Sequence, residues 1–515
     1  MSFYNEGFIP AFLETARRDP TRTFATFDSE VLDFATLEKM SACFAAALRD
    51  LGIRPGARVA VMMANSTQTL PVLLGLARAA ITWVPLNARL KGDGLAYILE
   101  HSDPEAVVCD ADLVASIRGA GVAVGKLIIA GDPDAELSLG RLLSGDASFD
   151  VPPPDADGLF AIMYTSGTTG RPKGVMVTHG MMRLAGEAVA EMIEAMPGDV
   201  LFVWEPLYHI GGAQTLVLPA IRDVSLAMVK RFSASRFWEE VCVSGATQIH
   251  YLGGVLQILL KQQPSRFEKA HKVRFAWGAA ARAEDWPVIE DRFGLRLREC
   301  YGMTEASSVT TVNMAGIPGA VGTPMPWFTV SIRDRNGTAV PEGERGEIVV
   351  STSIEGAIFK GYFRNVEATA HALRENRLHT GDQGSVGADG QLRYLGRLTD
   401  SVRCRGENVS AFEVESVASM HPDVEACAMI GVVADIGEQD IKLFVQPKSG
   451  SRIDLASFSD WLSQRLAPYQ NPRYLVSIEA FELTPSERIM KHRLPSDVAG
   501  CFDRLAPVAD VASSA

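Results

Sequence analysis

The stretch Ala57–Asn87 limits the folds open to this chain, because it places two apolar strands on either side of one apolar helix. It reads "ARVAVMMANSTQTLPVLLGLARAAITWVPLN". Asn65 and Ser66 stand where a helix N-cap belongs, and the second strand is predicted over Ile81–Val84. A single helix between two strands makes a βαβ unit, in which the strands pair in parallel.

The same pattern continues along the chain and predicts the fold class. Helix-like "LAYILEHS" is followed by the strand-like segments "AVVCD", "KLIIAGD", "LFAIMYT", "DVLFVWEPL", "VSLAMVK", "ATQIHYLGG" and "VRFAWGAAA". This alternation predicts a doubly wound α/β fold. After about residue 320, short strands with Gly, Pro and Asn turns predict a small antiparallel β subdomain. We therefore expect a large N-terminal domain over residues 1–396, a hinge over 397–400 and a small mobile α+β domain over 401–515.

Composition excludes several classes of protein. The net charge of −13 argues against a surface for nucleic acid. The seven cysteines contain no CxxC pair, which is typical of reduced thiols rather than of disulfides or a zinc site. The most apolar stretch carries Pro71, Pro85 and a central Arg78, so a membrane span is disfavoured. The N-terminus lacks the order of a signal peptide, and we expect a cytoplasmic location.

The segment Thr165–Lys173 is rich in small hydrogen-bonding groups. It lies within "YTSGTTGRPKGVMVTHG", between two apolar strands. Glycines let backbone amides approach an anion, hydroxyls donate further hydrogen bonds and Lys173 adds charge, which together predict a phosphate cradle. A nucleotide P-loop has a different glycine–lysine spacing and leads into a helix, so that class is disfavoured. A flexible turn is the alternative.

Five motifs in one order resemble those of the adenylate-forming superfamily, which includes acyl-CoA synthetases, nonribosomal-peptide adenylation domains and firefly luciferase. They are "YTSGTTGRPKG", "WGAAA", "YGMTEAS", "LHTGDQG" and "GRLTDSVRCRGENVSAFEVE". The resemblance covers nearly the whole chain. It implies an AMP-forming acid–thiol ligase that uses ATP, Mg²⁺ and coenzyme A.

The resemblance also implies roles for individual residues. Asp382 and Arg397 would bind the ribose hydroxyls, Thr304 the α-phosphate and Glu305 the magnesium ion. The nucleotide site as a whole would comprise Thr165, Ser166, Gly167, Thr168, Thr169, Gly170, Lys173, Gly278, Ala279, Ala280, Tyr301, Gly302, Met303, Thr304, Asp382, Arg397, Arg405 and Gly406. The acyl pocket would comprise Trp204, Tyr208, His209, Trp277, Gly302 and Met303. For His209, a packed loop histidine is a competing interpretation.

The charge balance of the reaction agrees with these roles. Joining a carboxylate to the α-phosphate of ATP brings two anions together, so the site must cancel negative charge. Hydroxyls, backbone amides, Lys173 and a metal ion at Glu305 would do this without proton transfer.

The C-terminal motif departs from the superfamily pattern. Members end in a motif whose lysine enters the active site, whereas this chain reads "LTPSERIMKHRLP" with Glu487 for the glycine and Arg488 for the lysine. Arginine keeps the charge but differs in shape, so the exchange is not conservative. We favour Arg488 as the catalytic cation, because Lys491 would lie on the opposite face of an extended chain, about 10 Å away. The alternatives are a weakened adenylation step or a refolded loop that brings in Lys491.

The hinge and the acceptor leave further alternatives open. Thr399 occupies the usual hinge position and Asp400 follows it, so the pivot lies at one or the other. Arg403 and Arg405 either meet coenzyme A phosphates or form a solvated basic turn. The tail resembles bacterial ligases of the crotonobetaine/carnitine-CoA type, which favours coenzyme A over a carrier protein as acceptor.

Bulky Trp277 and its aromatic neighbours favour a small or ring-bearing acid over a long fatty chain. A carrier-protein ligase and a weakly active nucleotide-binding homologue remain the alternatives, and a homodimer is the assembly to test.

Overall fold

The computed structural model describes residues 6–145, 148–165, 171–404, 407–434, 439–483 and 488–506. Up to residue 324 its strands form two large sheets. In chain order these strands are β1 (Thr23–Phe27), β2 (Glu30–Asp33), β3 (Arg58–Met62), β4 (Thr82–Pro85), β5 (Ala106–Asp110), β6 (Lys126–Ala130), β7 (Leu159–Thr165), β8 (Lys173–Thr178), β9 (Asp199–Val203), β10 (Val224–Met228), β11 (Gln248–Leu252), β12 (Phe275–Ala279), β13 (Arg296–Tyr301), β14 (Thr311–Asn313) and β15 (Thr323–Pro324).

Helices cover these sheets. They are α1 (Ile9–Arg18), α2 (Phe34–Asp50), α3 (Thr69–Arg78), α4 (Gly92–Ser102), α5 (Val114–Gly119), α6 (Leu139–Leu143), α7 (His179–Met192), α8 (Ile210–Ala213), α9 (Leu218–Ile221), α10 (Phe237–Val243), α11 (Gly253–Lys261) and α12 (Trp286–Phe293).

The six-stranded sheet contains the predicted βαβ unit. Its order is β6-β5-β3-β4-β7-β8, and every pairing except β7 with β8 is parallel. Helix α3 joins β3 to β4, and all ten of its residues are buried. Buried Arg78 donates hydrogen bonds to the Glu38 and Phe149 carbonyls and to the Ser41 hydroxyl. These contacts explain how an apolar helix inside the protein tolerates a central arginine.

The predicted N-cap of α3 is wrong. The helix begins at Thr69, after Gln68, and no side chain caps its first turn. Asn65 is buried and donates hydrogen bonds to the Glu205 and Val229 carbonyls of the neighbouring sheet. Its amide therefore serves a contact between the two sheets, which the local sequence pattern does not reveal.

The nine-stranded sheet runs in the order β15-β14-β13-β12-β11-β9-β10-β1-β2. From β1 to β13 the neighbouring strands are parallel, so the carboxyl ends of β12 and β13 reach the same edge. The hairpin of β1 and β2 comes from the N-terminus and joins this sheet across about two hundred residues of chain, with Ala25 opposite Leu226.

Beyond residue 324 the chain forms the predicted antiparallel sheet and then a smaller α+β part. The sheet contains β16 (Phe328–Arg333), β17 (Gly346–Thr352), β18 (Leu373–Arg374), β19 (Arg377–Val386) and β20 (Leu392–Arg397), with α13 (Val366–Ala372) beside it. The later part contains β21 (Ser401–Cys404), β22 (Glu407–Ser410), α14 (Ala411–Ser419), β23 (Val424–Val433), β24 (Gln439–Pro447), α15 (Leu455–Ser463), β25 (Tyr474–Ser477) and β26 (Phe502–Asp503).

Separate hydrophobic clusters fill the two parts. Residues from Phe8 to Leu392 build one large cluster, whereas a distinct cluster from Val402 to Leu475 fills the later part. Lys261 Nζ lies 2.6 Å from Glu425 Oε1, and Arg345 lies 2.5 Å from Glu413, so ion pairs join the parts. The predicted α/β fold with a small second domain is confirmed; the boundaries at 396 and 401 stay a prediction.

No described helix combines the length and the apolar character that a bilayer span needs. None of the seven cysteines forms a disulfide within the described part of the chain.

Candidate active site

Asp382 and Arg397 meet because antiparallel β19 and β20 place them directly opposite each other. Arg397 Nε lies 2.9 Å from Asp382 Oδ1, and the Tyr301 hydroxyl donates to Oδ2 at 2.7 Å. The Asp382 side chain is buried, with 3% of the residue exposed. Burial raises the pKa of Asp382, and the positive charge of Arg397 opposes that rise. The result is a fixed carboxylate beside a cation, which suits a neutral ligand with paired hydroxyl groups.

Glu305 lies in the 3-10 turn Thr304–Ala306 that follows β13. The residue is 5% exposed, and the Tyr362 hydroxyl donates to its Oε1 at 2.8 Å. Burial raises the pKa of Glu305, against the effect of the Tyr362 hydrogen bond and of the charges on Arg397 and Lys173. Lys173 Nζ lies 4.9 Å from the centre of the Tyr362 ring. The Tyr362 side chain therefore contacts both the buried Glu305 carboxylate and the Lys173 ammonium.

The surroundings of Glu305 fit a magnesium ion. Among the described residues no cluster of three or more His, Cys, Asp or Glu side chains resembles a metal cage. Magnesium is often held by one or two carboxylates together with substrate phosphates, so a single carboxylate suffices. Burial disfavours the charged form of Glu305, and a nearby divalent cation would offset that cost. A bound ion would neutralise phosphate charge.

Two glycines at the carboxyl ends of neighbouring strands let the backbone pack closely. A Cβ on Gly302 would lie 1.8 Å from the Ser308 carbonyl oxygen, and one on Gly278 would lie 1.9 Å from the Tyr251 carbonyl oxygen. Nearby, the Tyr301 ring stacks on Tyr394, with centroids 5.9 Å apart and 29° between the planes. Only glycine fits at either position, which leaves a flat backbone surface beside stacked aromatic rings.

The phosphate-loop segment connects β7 to β8. These strands are antiparallel, and their ladder closes with Thr165 opposite Lys173. The Thr165 hydroxyl donates to the Lys173 carbonyl at 3.4 Å. This pairing places Lys173 at the start of β8, near Glu305 and Tyr362. The predicted ligands Ser166, Gly167, Thr168, Thr169 and Gly170 lie outside the described residues, as do Arg405 and Gly406.

The charge of Arg488 reaches both ends of this site. Burial lowers the pKa of His209, and the charge of Arg488 contributes to that lowering. The same charge acts on Asp382, where it opposes the rise caused by burial. Arg488 is exposed, and its charge also acts on Tyr394.

Lys491 has different partners. Its Nζ lies 2.7 Å from Glu415 Oε1 and 3.4 Å from Asp400 Oδ2. Glu415 also accepts a hydrogen bond from the Met429 amide at 2.6 Å. Lys491 thus connects Asp400 of the predicted hinge to Glu415 on α14.

The predicted acyl-pocket residues have two kinds of surroundings. The rings of Tyr208 and His209 lie 4.6 Å apart at the start of α8, and Trp277 lies 4.4 Å from His250. Trp204 belongs to a second core cluster, and its indole donates to the His250 carbonyl at 2.7 Å. The structure thus gives Trp204 a packing role, and its contact with substrate stays a prediction.

Comparison with known proteins decides the family. The model for "AMP-binding enzyme" matches residues 12–363, and the model for its C-terminal domain matches residues 413–488. The chain belongs to the AMP-binding enzyme family. This membership confirms the predicted adenylate-forming resemblance and the prediction of an AMP-forming ligase.

Relatives of this AMP-binding enzyme include CoA ligases. A crotonobetaine/carnitine–CoA ligase of Salmonella paratyphi A is 31% identical over 466 residues, which cover 86% of this chain and 89% of the relative. The crystal structure of ATP-bound MatB from Rhodopseudomonas palustris superposes with a TM-score of 0.86 at 26% identity, covering 95% of this chain and 98% of that one. A benzoate CoA ligase from Burkholderia xenovorans LB400 shares the fold, with a TM-score of 0.84 at 24% identity over 94% and 99% of the two chains.

Tyr362 and Tyr394 contact predicted site residues of this AMP-binding enzyme, and the sequence analysis did not single them out. Tyr362 lies in "FKGYFRN" and contacts Glu305 from 57 positions away. Tyr394 lies on β20 and contacts Tyr301 on another sheet. The aromatic cluster Phe359–Phe363 was the available signal, but the pattern does not state which distant carboxylate a tyrosine meets.

The different partners of Arg488 and Lys491 predict different effects of mutation. Replacing Lys491 with Met leaves Glu415 and Asp400 without their cation, which we expect to lower the free energy of unfolding by about 3 kcal/mol. ATP–pyrophosphate exchange per folded molecule should stay within about threefold of wild type, because the Lys491 ammonium pairs with Glu415 and Asp400. Urea unfolding and exchange rates measure the two effects. A loss of exchange above a hundredfold with unchanged stability would instead make Lys491 the catalytic cation.

Proposed function

We propose that this enzyme is an ATP- and Mg²⁺-dependent carboxylic acid–CoA ligase that works through an acyl-adenylate. It would convert acid, ATP and CoA to acyl-CoA, AMP and pyrophosphate. The observation that carries the proposal is the buried Asp382 carboxylate, which Arg397 contacts at 2.9 Å and the Tyr301 hydroxyl at 2.7 Å. An α-phosphate joined to a ribose on Asp382, and approached by an acid beside His209, would lie in the space between them.

The first step forms one bond and breaks one. A carboxylate oxygen of the acid bonds to the α-phosphorus, and the bond from that phosphorus to the bridging oxygen breaks, so pyrophosphate leaves with the electron pair. Arg488 and Lys173 would hold the two anions together and stabilise the charge that develops. Tyr362 would orient Glu305 through its 2.8 Å hydrogen bond.

The second step transfers the acyl group. The sulfur of CoA bonds to the acyl carbon and the bond from that carbon to the AMP oxygen breaks, while the thiol proton passes to solvent. AMP leaves as a stable phosphate, so the leaving group needs no proton from the protein. Arg403 and Arg405 remain the candidate contacts for CoA phosphates.

The same proposal includes movement about the hinge. The large domain would span residues 1–396 and the small domain residues 401–515. Lys491 and Glu415 tie Asp400 to the small domain, so Asp400 would rotate with that domain. These contacts support Thr399, the residue before Asp400, as the proposed pivot of a hinge-type domain motion.

A small or ring-bearing acid fits the proposed pocket better than a long chain. Trp277 is 1% exposed, and the rings of Tyr208 and His209 lie 4.6 Å apart, so the side chains that would line the pocket are bulky and packed.

The proposal is tested with a panel of carboxylic acids, by measuring CoA-dependent formation of AMP and acyl-CoA. We expect small aromatic and short-chain acids to show kcat/KM values more than tenfold above that of a twelve-carbon fatty acid. Omitting CoA should leave only pyrophosphate exchange. AMP formation only with an added carrier protein would identify the carrier-protein ligase instead. Binding of ATP without turnover of any acid would identify the weakly active homologue.

A further inference from the structure

The chain that follows Arg488 lies on the sheet of the small domain. We call residues 489–503 the C-terminal segment; the family match to the C-terminal domain ends at residue 488 and does not cover it. Its first residue forms an isolated bridge with Leu483, and its last two residues form β26, which pairs with β25. The Met490 amide donates to the Glu482 carbonyl at 2.9 Å. The position of Arg488 therefore depends on how this segment is held.

Few packing contacts hold the C-terminal segment. Ile489, next to Arg488, and Leu494 belong to a small apolar cluster around buried Phe444. A cavity of about 350 Å³ lies beside this cluster and is lined by residues of both the sheet and the segment, among them Lys442, Phe444, Val476, Ile478, Met490 and Leu494. Side chains that border a cavity lose packing partners on that side, so polar contacts gain weight in fixing the path of the segment.

Lys442 supplies these polar contacts. It lies on β24 and is 2% exposed. Its Nζ donates to the Pro495 carbonyl at 2.9 Å and also to the Asp497 carbonyl, and it lies 4.6 Å from the centre of the Phe444 ring. Within the described part of the chain no carboxylate pairs with this ammonium. Because a buried charge is costly unless it is hydrogen-bonded, the ammonium and the two carbonyls hold each other in place.

We infer that Lys442 is a positioning residue for the adenylation step, whose ammonium clamps the carbonyls of Pro495 and Asp497 and thereby holds Arg488 at the site. The inference rests on the proposed function, in which Arg488 acts in the first step and not in the second. Lys442 does not touch the substrates; it fixes the backbone that continues from Arg488.

The clamp acts on Arg488 through the apolar cluster. Without the ammonium, the backbone after Leu494 is released, and Leu494 and Ile489 lose their fixed packing against Phe444. Arg488 then spends part of its time away from the reacting anions, and a small displacement of a charged group is enough to slow a reaction that depends on positioning. Lys491 differs, because its side chain pairs with carboxylates and holds no backbone of the segment.

The two half-reactions of the full-length protein test this inference, each measured per folded molecule. Lys442→Met keeps the apolar stem and loses both hydrogen bonds, so ATP–pyrophosphate exchange should fall by about 10- to 100-fold. Thioester formation from synthetic acyl-AMP and CoA should stay within about threefold, because the two anions are already joined. Lys442→Arg should recover most of the exchange, since a guanidinium can donate to both carbonyls and the cavity gives it space.

The matched control is Lys448→Met. Lys448 also donates to a backbone carbonyl of the small domain, but that carbonyl belongs to Pro422, before β23, and not to the C-terminal segment. Its loss should leave both half-reactions within about twofold. If Lys442→Met does not fold, Lys442→Gln provides the comparison, because its shorter side chain cannot hold both carbonyls.

Unchanged exchange in folded Lys442→Met would overturn the inference. An equal fall of both half-reactions without recovery in Lys442→Arg would also overturn it, because a purely structural lysine has that effect. Wild-type protein that exchanges pyrophosphate with no acid would overturn the proposed function, and the inference with it, so the wild-type arm separates the two failures.

Discussion

Replacing Arg488 with Ala is expected to lower the rate of acyl-adenylate formation by about 10²- to 10³-fold. The charge of Arg488 acts on both His209 and Asp382, so its removal leaves the acid and the α-phosphate to repel each other. ATP–pyrophosphate exchange measures this step. Thioester formation from synthetic acyl-AMP should be much less affected, because the anions have already been joined.

Arg493→Ala is the matched control for that experiment. Arg493 lies in the same C-terminal segment, is exposed and pairs with Glu482, so its loss should change the exchange rate less than twofold. Arg488→Lys should lower exchange, because lysine cannot form the two parallel hydrogen bonds of a guanidinium. Faster exchange with lysine would show that Arg488 weakens adenylation, which contradicts its assignment as the adapted catalytic group.

Replacing Glu305 with Gln is expected to lower kcat by about 10²- to 10³-fold without loss of stability. Glutamine keeps an oxygen for the Tyr362 hydroxyl, but this neutral oxygen binds a divalent cation more weakly than a carboxylate does. Burial raises the folded-state pKa of Glu305, so this carboxyl contributes stability below its unfolded pKa that is lost as pH rises through the folded value. The neutral variant avoids that loss, and its unfolding temperature at pH 8 should match or exceed that of wild type.

Glu187→Gln is the contrasting control. Glu187 is also buried, but it lies 2.8 Å from Arg183 and 2.6 Å from Arg222. Losing this pair should lower the unfolding temperature and leave kcat per folded molecule within about twofold. Full activity of Glu305→Gln at low magnesium concentration would exclude Glu305 as the metal ligand.

Local pattern predicted most of the regular structure. The apolar run Ile81–Val84 and the helix before it appear as β4 and α3, because their periodicity depends on neighbours in the chain. The wrongly predicted N-cap at Asn65 shows where prediction from the local sequence pattern fails. A buried amide binds the carbonyls of Glu205 and Val229, more than a hundred residues away, and a short window carries no information about such partners.

In the candidate site, too, some residues could be predicted from local motifs and others could not. Asp382 and Arg397 were found through motifs, and the β19–β20 register explains why they meet. Tyr362 and the contact of Lys491 with Asp400 were not found, since each side chain acts on a residue far away in sequence.

A crystal structure with ATP, Mg²⁺ and no acid tests the central claim most directly. The account predicts the ribose hydroxyls on Asp382, the base against Tyr301 and the backbone of Gly278–Ala280, the metal ion on Glu305, and the α-phosphate between Lys173 and Arg488. Density for the triphosphate anywhere outside this group of residues would contradict it.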